Sequence, residues 1–275
     1  MLNLSYEPKL SVKEKENNSN IKKKIAILSG KGGVGKSTVA VNLACALAKK
    51  GYKVGLLDAD LHGPNVLKMI SPEEKVVLLA DPEKQKIYPY VPPYLENLKA
   101  ISIAAMLPSE EVPVVWRGPL KHKALEQLIK DVDWGELDVL IIDLPPGTGD
   151  EVLSISQILK PLDGFLIVVT PQDVALSDGK KAIKFAQMIK VPVLGIIENM
   201  SYFVCPKCKE ISHIFKTGGG KKLASEYNLP FLGQIPLDPE VVDLEDKGHP
   251  PIIFAPESEF SKAFESIVSK LKIEE

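Results

Sequence analysis

The 275-residue chain reads as an α/β protein with a doubly wound, mostly parallel sheet and helices on both faces. Three features predict this: short runs that are apolar at nearly every position, helical patterns between them, and a glycine cluster where the first run gives way to the first helix. Parallel strands are covered on both sides, so they lose the polar alternation of a half-solvated sheet. The first run is Ile25-Ala26-Ile27-Leu28. Residues 38–50 follow, with Val41, Cys45, Leu47 and Ala48 at helical intervals ahead of Gly51, which suits a helix C-terminus. Further strands are predicted over 53–57, 101–105, 137–142, 164–170 and 193–197, and helices over 120–130, 152–159 and 179–189. Residues 61–119 fit least well, because Tyr88-Pro89-Tyr90-Val91-Pro92-Pro93-Tyr94 predicts an irregular excursion. A last helix over 260–273 puts Phe260, Phe264, Ile267, Val268 and Leu271 on one face. Residues 1–23 are charged and amide-rich with little to bury, so a disordered polar tail is expected before a single domain over 24–275.

The charge balance removes several function classes. With 34 Lys+Arg against 36 Asp+Glu the formal charge is −2, and no global basic field exists to drive binding to nucleic acid or anionic lipid. No stretch approaches the ~20 apolar residues of a membrane-spanning helix. The final helix is acid-leaning, with five Glu against three Lys from residue 257 onward, unlike a membrane-surface helix. No nucleic-acid or membrane partner is therefore expected. Three cysteines make no disulfide framework and the first twenty residues lack the apolar core of a signal peptide, which points to a reducing, cytoplasmic compartment.

Gly30-Lys31-Gly32-Gly33-Val34-Gly35-Lys36-Ser37 satisfies G-x-x-x-x-G-K-[ST] and sits where its mechanism requires, after a strand and opening a helix. The glycines let successive N–H groups turn toward phosphate oxygens, and the helix N-terminus adds its positive end. Lys36 would neutralise β- and γ-phosphate charge while the Ser37 hydroxyl ligates Mg²⁺. Asp58 and Asp60 close the second strand. Asp143 ends an apolar strand, the place of an acid that holds Mg²⁺ directly or through water. The Pro/Gly-rich loop from Pro145 to Gly149 is able to change shape when a γ-phosphate leaves. The Asn199 amide, after a later strand, offers a donor and an acceptor to an adenine edge.

The early lysine, Lys31, makes GKGGVGKST a deviant form of the motif that resembles the MinD/ParA/nitrogenase-iron-protein class of P-loop ATPases. The resemblance implies ATP bound along Gly30 to Thr38, and Lys31 reaching across a homodimer to the partner's nucleotide, like an arginine finger supplied in trans. It also implies that Asp60 orients the attacking water and Asp58 supports the metal shell. Asn199 would bind the base, and the segment around Pro236 would lie against its ring.

Cys205-Pro206-Lys207-Cys208 separates the chain from a generic ATPase. C-x-x-C thiols can share one metal, cycle as a redox dithiol, or form half of a zinc site, and spacing alone does not choose. The surroundings lack a thioredoxin-like pattern. Cys45 lies in an apolar helix and reads as a small core residue. Two thiols per chain become four on a two-fold axis, so a Cys₄ site at a dimer interface could hold [4Fe-4S] or zinc. His213 is a rival third ligand that reads as structural, and His62 and His249 are unassigned.

GKGGVGKST, DADLHGPN, WRGP, IIDLPPGTGD, TPQDVALSD, ENMSYFVCPKC and GQIPLDPEV, in that order over residues 25–251, resemble the Mrp/ApbC group of iron–sulfur cluster carrier ATPases. The resemblance implies slow ATP hydrolysis, a labile [4Fe-4S] cluster held between Cys205 and Cys208 of two subunits, and its transfer to apo-proteins. The tail has no cysteine, so the extra N-terminal cluster site of eukaryotic cytosolic members is not expected, nor is the small domain fused ahead of many bacterial ones. His62 and Asn65 stand where many members carry Tyr and Ser. The rival readings are a MinD/ParA-type positioning switch and a dimeric NTPase whose cysteines only hold zinc.

Overall fold

The computed structural model describes residues 20–60, 63–72, 76, 78–81, 83, 86–102, 126 and 131–273. Its elements run β1 (Asn20–Leu28), α1 (Lys36–Lys49), β2 (Val54–Asp58), α2 (Val66–Ile70), β3 (Leu79–Asp81), β4 (Lys86–Tyr88), β5 (Leu98–Ser102) and β6 (Glu136–Asp143). Then follow α3 (Asp150–Ile158), β7 (Gly164–Val169), α4 (Asp173–Met188), β8 (Val193–Glu198), β9 (Phe203–Val204), β10 (Ile211–Ser212) and α5 (Gly219–Glu226). The chain closes with β11 (Phe231–Gln234), α6 (Pro239–Asp246), α7 (Pro251–Phe254) and α8 (Glu259–Lys270). Seven strands form one sheet in the order β11-β8-β7-β1-β6-β2-β5, every neighbouring pair parallel.

Alternation along each strand divides the core in two, as a pleat covered on both faces requires. Ile25, Ile27, Leu56 and Ile141 point toward α1, α2 and α8, while Ala26, Leu28, Leu57 and Ile142 point toward α3, α4 and α5. This is the doubly wound architecture expected from the unbroken apolar runs. Local chemistry sets several helix starts: Asp238 accepts from the Glu240 N–H with Pro239 in the first turn of α6, and Ser258 accepts from the Ser261 N–H to cap α8.

Some boundaries move. β1 begins at Asn20, so residues 20–23, read from composition as the end of a tail, are strand. Ile21 pairs with Leu137, and the Lys22 ammonium lies 2.7 Å from Asp138 Oδ1, which lets a lysine-rich segment extend the central strand where it pairs with β6 alone. The strand expected at 101–105 is β5, and residues 103–105 lie outside the described residues. So do residues 1–19, His62, Trp116 to Pro119, and the helix expected over 120–130 apart from Glu126. The excursion over 61–119 contains α2, the β3–β4 hairpin and β5, and α4 starts six residues before the expected 179.

Candidate functional site

The carboxyl ends of the central strands converge at one edge. Register sets Ile27 of β1 beside Asp143 of β6, and Asp143 beside Asp58 of β2. Chain leaving β1 crosses this edge on its way to α1, at the point where an open α/β sheet binds ligands. At Gly35 a side chain is doubly excluded: φ is 76°, and a Cβ would lie 2.2 Å from Asn199 Nδ2. α1 starts at Lys36 with no side-chain cap and no acid in its first turn, so its leading N–H groups and positive dipole end are left for an external anion.

A cavity of about 570 Å³ opens here, between the loop with Lys31, Lys36 and Ser37 on one side and Val242, Glu245 and Asp246 of α6 on the other. That is the size of a small-molecule site. Lys36 is 6% exposed; its Nζ lies 2.5 Å from Asp143 Oδ1, and the Ser37 hydroxyl donates to Asp143 Oδ2 at 2.6 Å. Asp58 is fully buried and accepts from the Asp60 N–H, the Val66 N–H and the Ser102 hydroxyl at 3.1, 3.3 and 3.0 Å. Burial, reinforced by the Asp143 carboxylate, pushes Asp58 up to about 7. Burial raises Asp143 as well, against the pull of Lys36. Asp60 lines the cavity and accepts from the Gly63 N–H at 3.2 Å. The Ser37 hydroxyl and the Asp143 carboxylate bonded to it are hard oxygen donors of the kind Mg²⁺ takes. Lys31 also lines the cavity, and its ammonium has no ion-pair partner among the described residues.

The structure brings Gly30 to Thr38, Asp58, Asp60 and Asp143 to one edge. It places Asn199 and Pro236 differently. Asn199 is 4% exposed and donates its amide hydrogen to Val34 O at 2.9 Å, so it supports the phosphate loop from beneath, and neither residue lines the cavity. Sequence reasoning missed Glu245, which accepts from the Thr38 hydroxyl at 2.9 Å and the Asn42 amide at 2.8 Å and joins α6 to α1. The available signal was Thr38 and Asn42, two polar residues one turn apart beside the apolar run of α1. Burial pushes Glu245 up to about 7, opposed by those two hydrogen bonds.

The cysteine pair lies elsewhere, on the β9–β10 hairpin, where the Cys205 N–H donates to Glu210 O and the Lys209 N–H to Cys205 O at 3.0 and 2.9 Å. The Cys205 thiol is held below its ordinary value, chiefly by the Cys208 N–H, then by the Cys208 thiol and the Lys207 N–H, all directed at its sulfur. Donors converging on sulfur favour the thiolate, the form that ligates metals. Cys208 is exposed, whereas Cys45 is buried in α1 and its thiol is pushed up by burial. His213 turns its Nδ1 toward Ser201 O, 3.5 Å away. Among the described residues no group of three or more His, Cys, Asp or Glu is placed to hold a metal. The hairpin thus offers two thiols per chain.

A parallel sheet, a phosphate loop at its strand-order reversal and acids at neighbouring strand ends define a nucleotide-binding protein of the P-loop NTPase class. Residues 20–272 match the family described as ParA, NUBPL iron-transfer P-loop NTPase, and the chain belongs to that family. It is 50% identical over 262 residues to an iron-sulfur cluster carrier protein of Methanocaldococcus jannaschii, covering 94% of this chain and 89% of that one. It is 49% identical over 234 residues to a cytosolic Fe-S cluster assembly factor NUBP2 homolog of Dictyostelium discoideum, covering 83% and 86%. Among solved structures, a nucleotide-binding protein of Archaeoglobus fulgidus in complex with ADP, with cobalt found in it, superposes with a TM-score of 0.72 at 41% identity over 83% of this chain and 87% of that one. No helix among the described residues is long and apolar enough to cross a membrane.

Proposed function

We propose that the protein is a homodimeric ATPase of the reducing cytoplasm that carries a [4Fe-4S] cluster and passes it to apo-proteins. One observation carries the reading: two thiols on an exposed hairpin, one of them biased toward thiolate, with no further ligand beside them among the described residues, in a chain that also carries a phosphate loop on an open cavity. A four-thiolate centre then needs a second copy, and a two-fold contact brings the same hairpin from each. The free thiols and the cytosolic name of the Dictyostelium relative support the compartment.

One domain from β1 onward carries both sites. Backbone N–H groups of Gly30 to Thr38 cradle the phosphates, and Lys36 leaves Asp143 to neutralise the β- and γ-oxygens. Bound Mg²⁺ supplies further positive charge at those oxygens, and Ser37 and Asp143 would hold it, with Asp58 behind them. Asp60 orients the attacking water. Lys31, without an ion-pair partner among the described residues, reaches the nucleotide of the other copy. Asn199 and Pro236 contact the base once it has entered. A positioning role at a membrane is less well supported, because α8 uses its apolar face in the core, with Phe260, Phe264 and Ile267 all 2% exposed or less.

Anaerobic reconstitution with ferrous iron and sulfide, followed by counting both per dimer, tests the carrier reading. The native protein should take up about four of each, and Cys205→Ala and Cys208→Ala little. Zinc binding without iron uptake, or iron held by a monomer, would defeat it.

A further inference from the structure

The two sites are joined by a side chain that neither uses. Glu198 ends β8 and is fully buried, yet its partners are all uncharged: the Ser201 hydroxyl at 2.5 Å, the Gly218 N–H at 3.1 Å, the Gly220 N–H, and the Gln234 amide at 2.9 Å. A buried carboxylate is tolerated only when such donors replace water, so these four groups are drawn to one point. The position of the donors matters most. Ser201 precedes the β9–β10 hairpin and Gly218 follows it, so one carboxylate ties both ends of the segment that carries Cys205 and Cys208.

Surrounding bonds reinforce this root. Gln234 also donates to Ser201 Oγ at 2.7 Å and Thr217 Oγ1 at 3.3 Å, and the Leu237 N–H donates to Tyr202 O at 2.7 Å. Gly220 has no room for a Cβ, which would lie 2.9 Å from Glu198 Cβ. On the other side, the residue next to Glu198 is Asn199, whose amide holds Val34 O of the phosphate loop and fills the space over Gly35. Backbone bonds pin this dipeptide from both neighbouring strands: the Asn199 N–H donates to Val169 O, and the Ile235 N–H to Glu198 O, at 2.8 and 2.9 Å.

The geometry points to Glu198 as a positioning residue through which the nucleotide state of the phosphate loop sets the orientation of the cysteine hairpin within a single chain. A phosphate seated on the loop displaces the backbone at Val34 and Gly35. Asn199 follows, and Glu198 passes the shift to the hairpin root at Ser201 and Gly218 together. Coupling between sites is reciprocal, so a ligand on the thiols alters nucleotide affinity by the same factor. The assignment rests on reading the hairpin thiols as the cargo ligands, but its test needs no iron.

The full chain is treated with iodoacetamide, and the alkylation rates of Cys205 and Cys208 are followed by peptide mass spectrometry, without nucleotide and saturated with Mg²⁺ and a non-hydrolysable ATP analogue. The native rates should differ at least threefold between the two states. In Glu198→Gln the ratio should fall to about one, with nucleotide affinity within about twofold of native. A merely structural Glu198 would lower the unfolding temperature and leave the ratio intact. Native rates that ignore nucleotide, or a variant that keeps the native ratio, would overturn the assignment. If Glu198→Gln does not fold or cannot be saturated, Ser201→Ala decides: a ratio reduced by half or more supports the coupling and an unchanged ratio refutes it. A protein that takes up no iron but passes this test has lost the carrier reading and kept the coupling.

Discussion

The nucleotide edge and the cysteine hairpin are built on opposite terms. Lys36, Asp58 and Asp143 are all buried, and the register of three adjacent parallel strands fixes the acids relative to the loop. The hairpin has strands of two residues each, an exposed Cys208, and Ile211 and Ile214 more than half exposed. Strand ends place the acids' charge ahead of any ligand, so these carboxylates need no rearrangement to face a phosphate. The hairpin leaves Cys208 open to solvent, and its two strands pair at only two positions, so what holds it is its root and not its own ladder. The phosphate loop and the acids facing it come from one chain, whereas the hairpin offers two thiols.

The largest expected effects test whether the first site is in fact self-contained. Lys36→Ala removes the charge at the phosphates and leaves Asp143 buried without its partner, so nucleotide affinity should fall about 100-fold or more, roughly 3 kcal/mol. Lys31→Ala touches a half-exposed side chain with no ion-pair partner among the described residues and should keep affinity within about threefold while phosphate release stops. Calorimetric titration and a phosphate-release assay separate the two. Equal losses of affinity would overturn the trans role of Lys31, which would then serve its own chain's nucleotide and make the first site the more self-contained.

The nucleotide edge was legible in the sequence because its determinants are local. Gly30 to Ser37 is a continuous motif, and Asp58 and Asp143 each end a run that is apolar for a reason visible without coordinates. The seven-strand sheet was legible in outline for the same reason, except for β11, whose Phe231-Leu232-Gly233-Gln234 is too short and mixed to mark a strand. What escaped was long-range pairing of polar groups. Glu245 meets Thr38 across 207 positions and Glu198 meets Gln234 across 36, and no period in the chain brings either pair together. The Asn199 bond to Val34 O likewise spans 165 positions and belongs to tertiary structure.

Glu245 gives the next effect and sharpens the nucleotide side of the comparison. Its folded value is about 7 against an ordinary 4.5, so between those limits the folded protein holds a proton that the unfolded chain releases. Its contribution is therefore largest below pH 4.5 and is lost as pH rises through 7, a change of about 3 kcal/mol. Glu245→Gln imitates the protonated form and should flatten that part of the profile, so the variant gains on the native protein between pH 5 and pH 8 in urea unfolding. An identical slope in both proteins would mean that the carboxylate is solvated, and that α6 is not fixed to α1 in the way the hydrogen bonds indicate.

The smallest effect concerns the hairpin, and here a near-zero result is informative. Ile211 is 58% exposed and belongs to a strand paired at only two positions, so Ile211→Ser removes little burial from the monomer. Unfolding free energy of the metal-free protein should change by no more than about 0.5 kcal/mol. If the hairpin were part of the cooperative core, the cost would approach that of a buried isoleucine, about 2 kcal/mol or more, and the thiols would be presented by a rigid element after all. A negligible change in the metal-free monomer, together with weaker self-association once iron and sulfide are supplied, would place the stabilising contact of Ile211 in the loaded dimer. Analytical ultracentrifugation of the loaded and unloaded variant measures that difference directly.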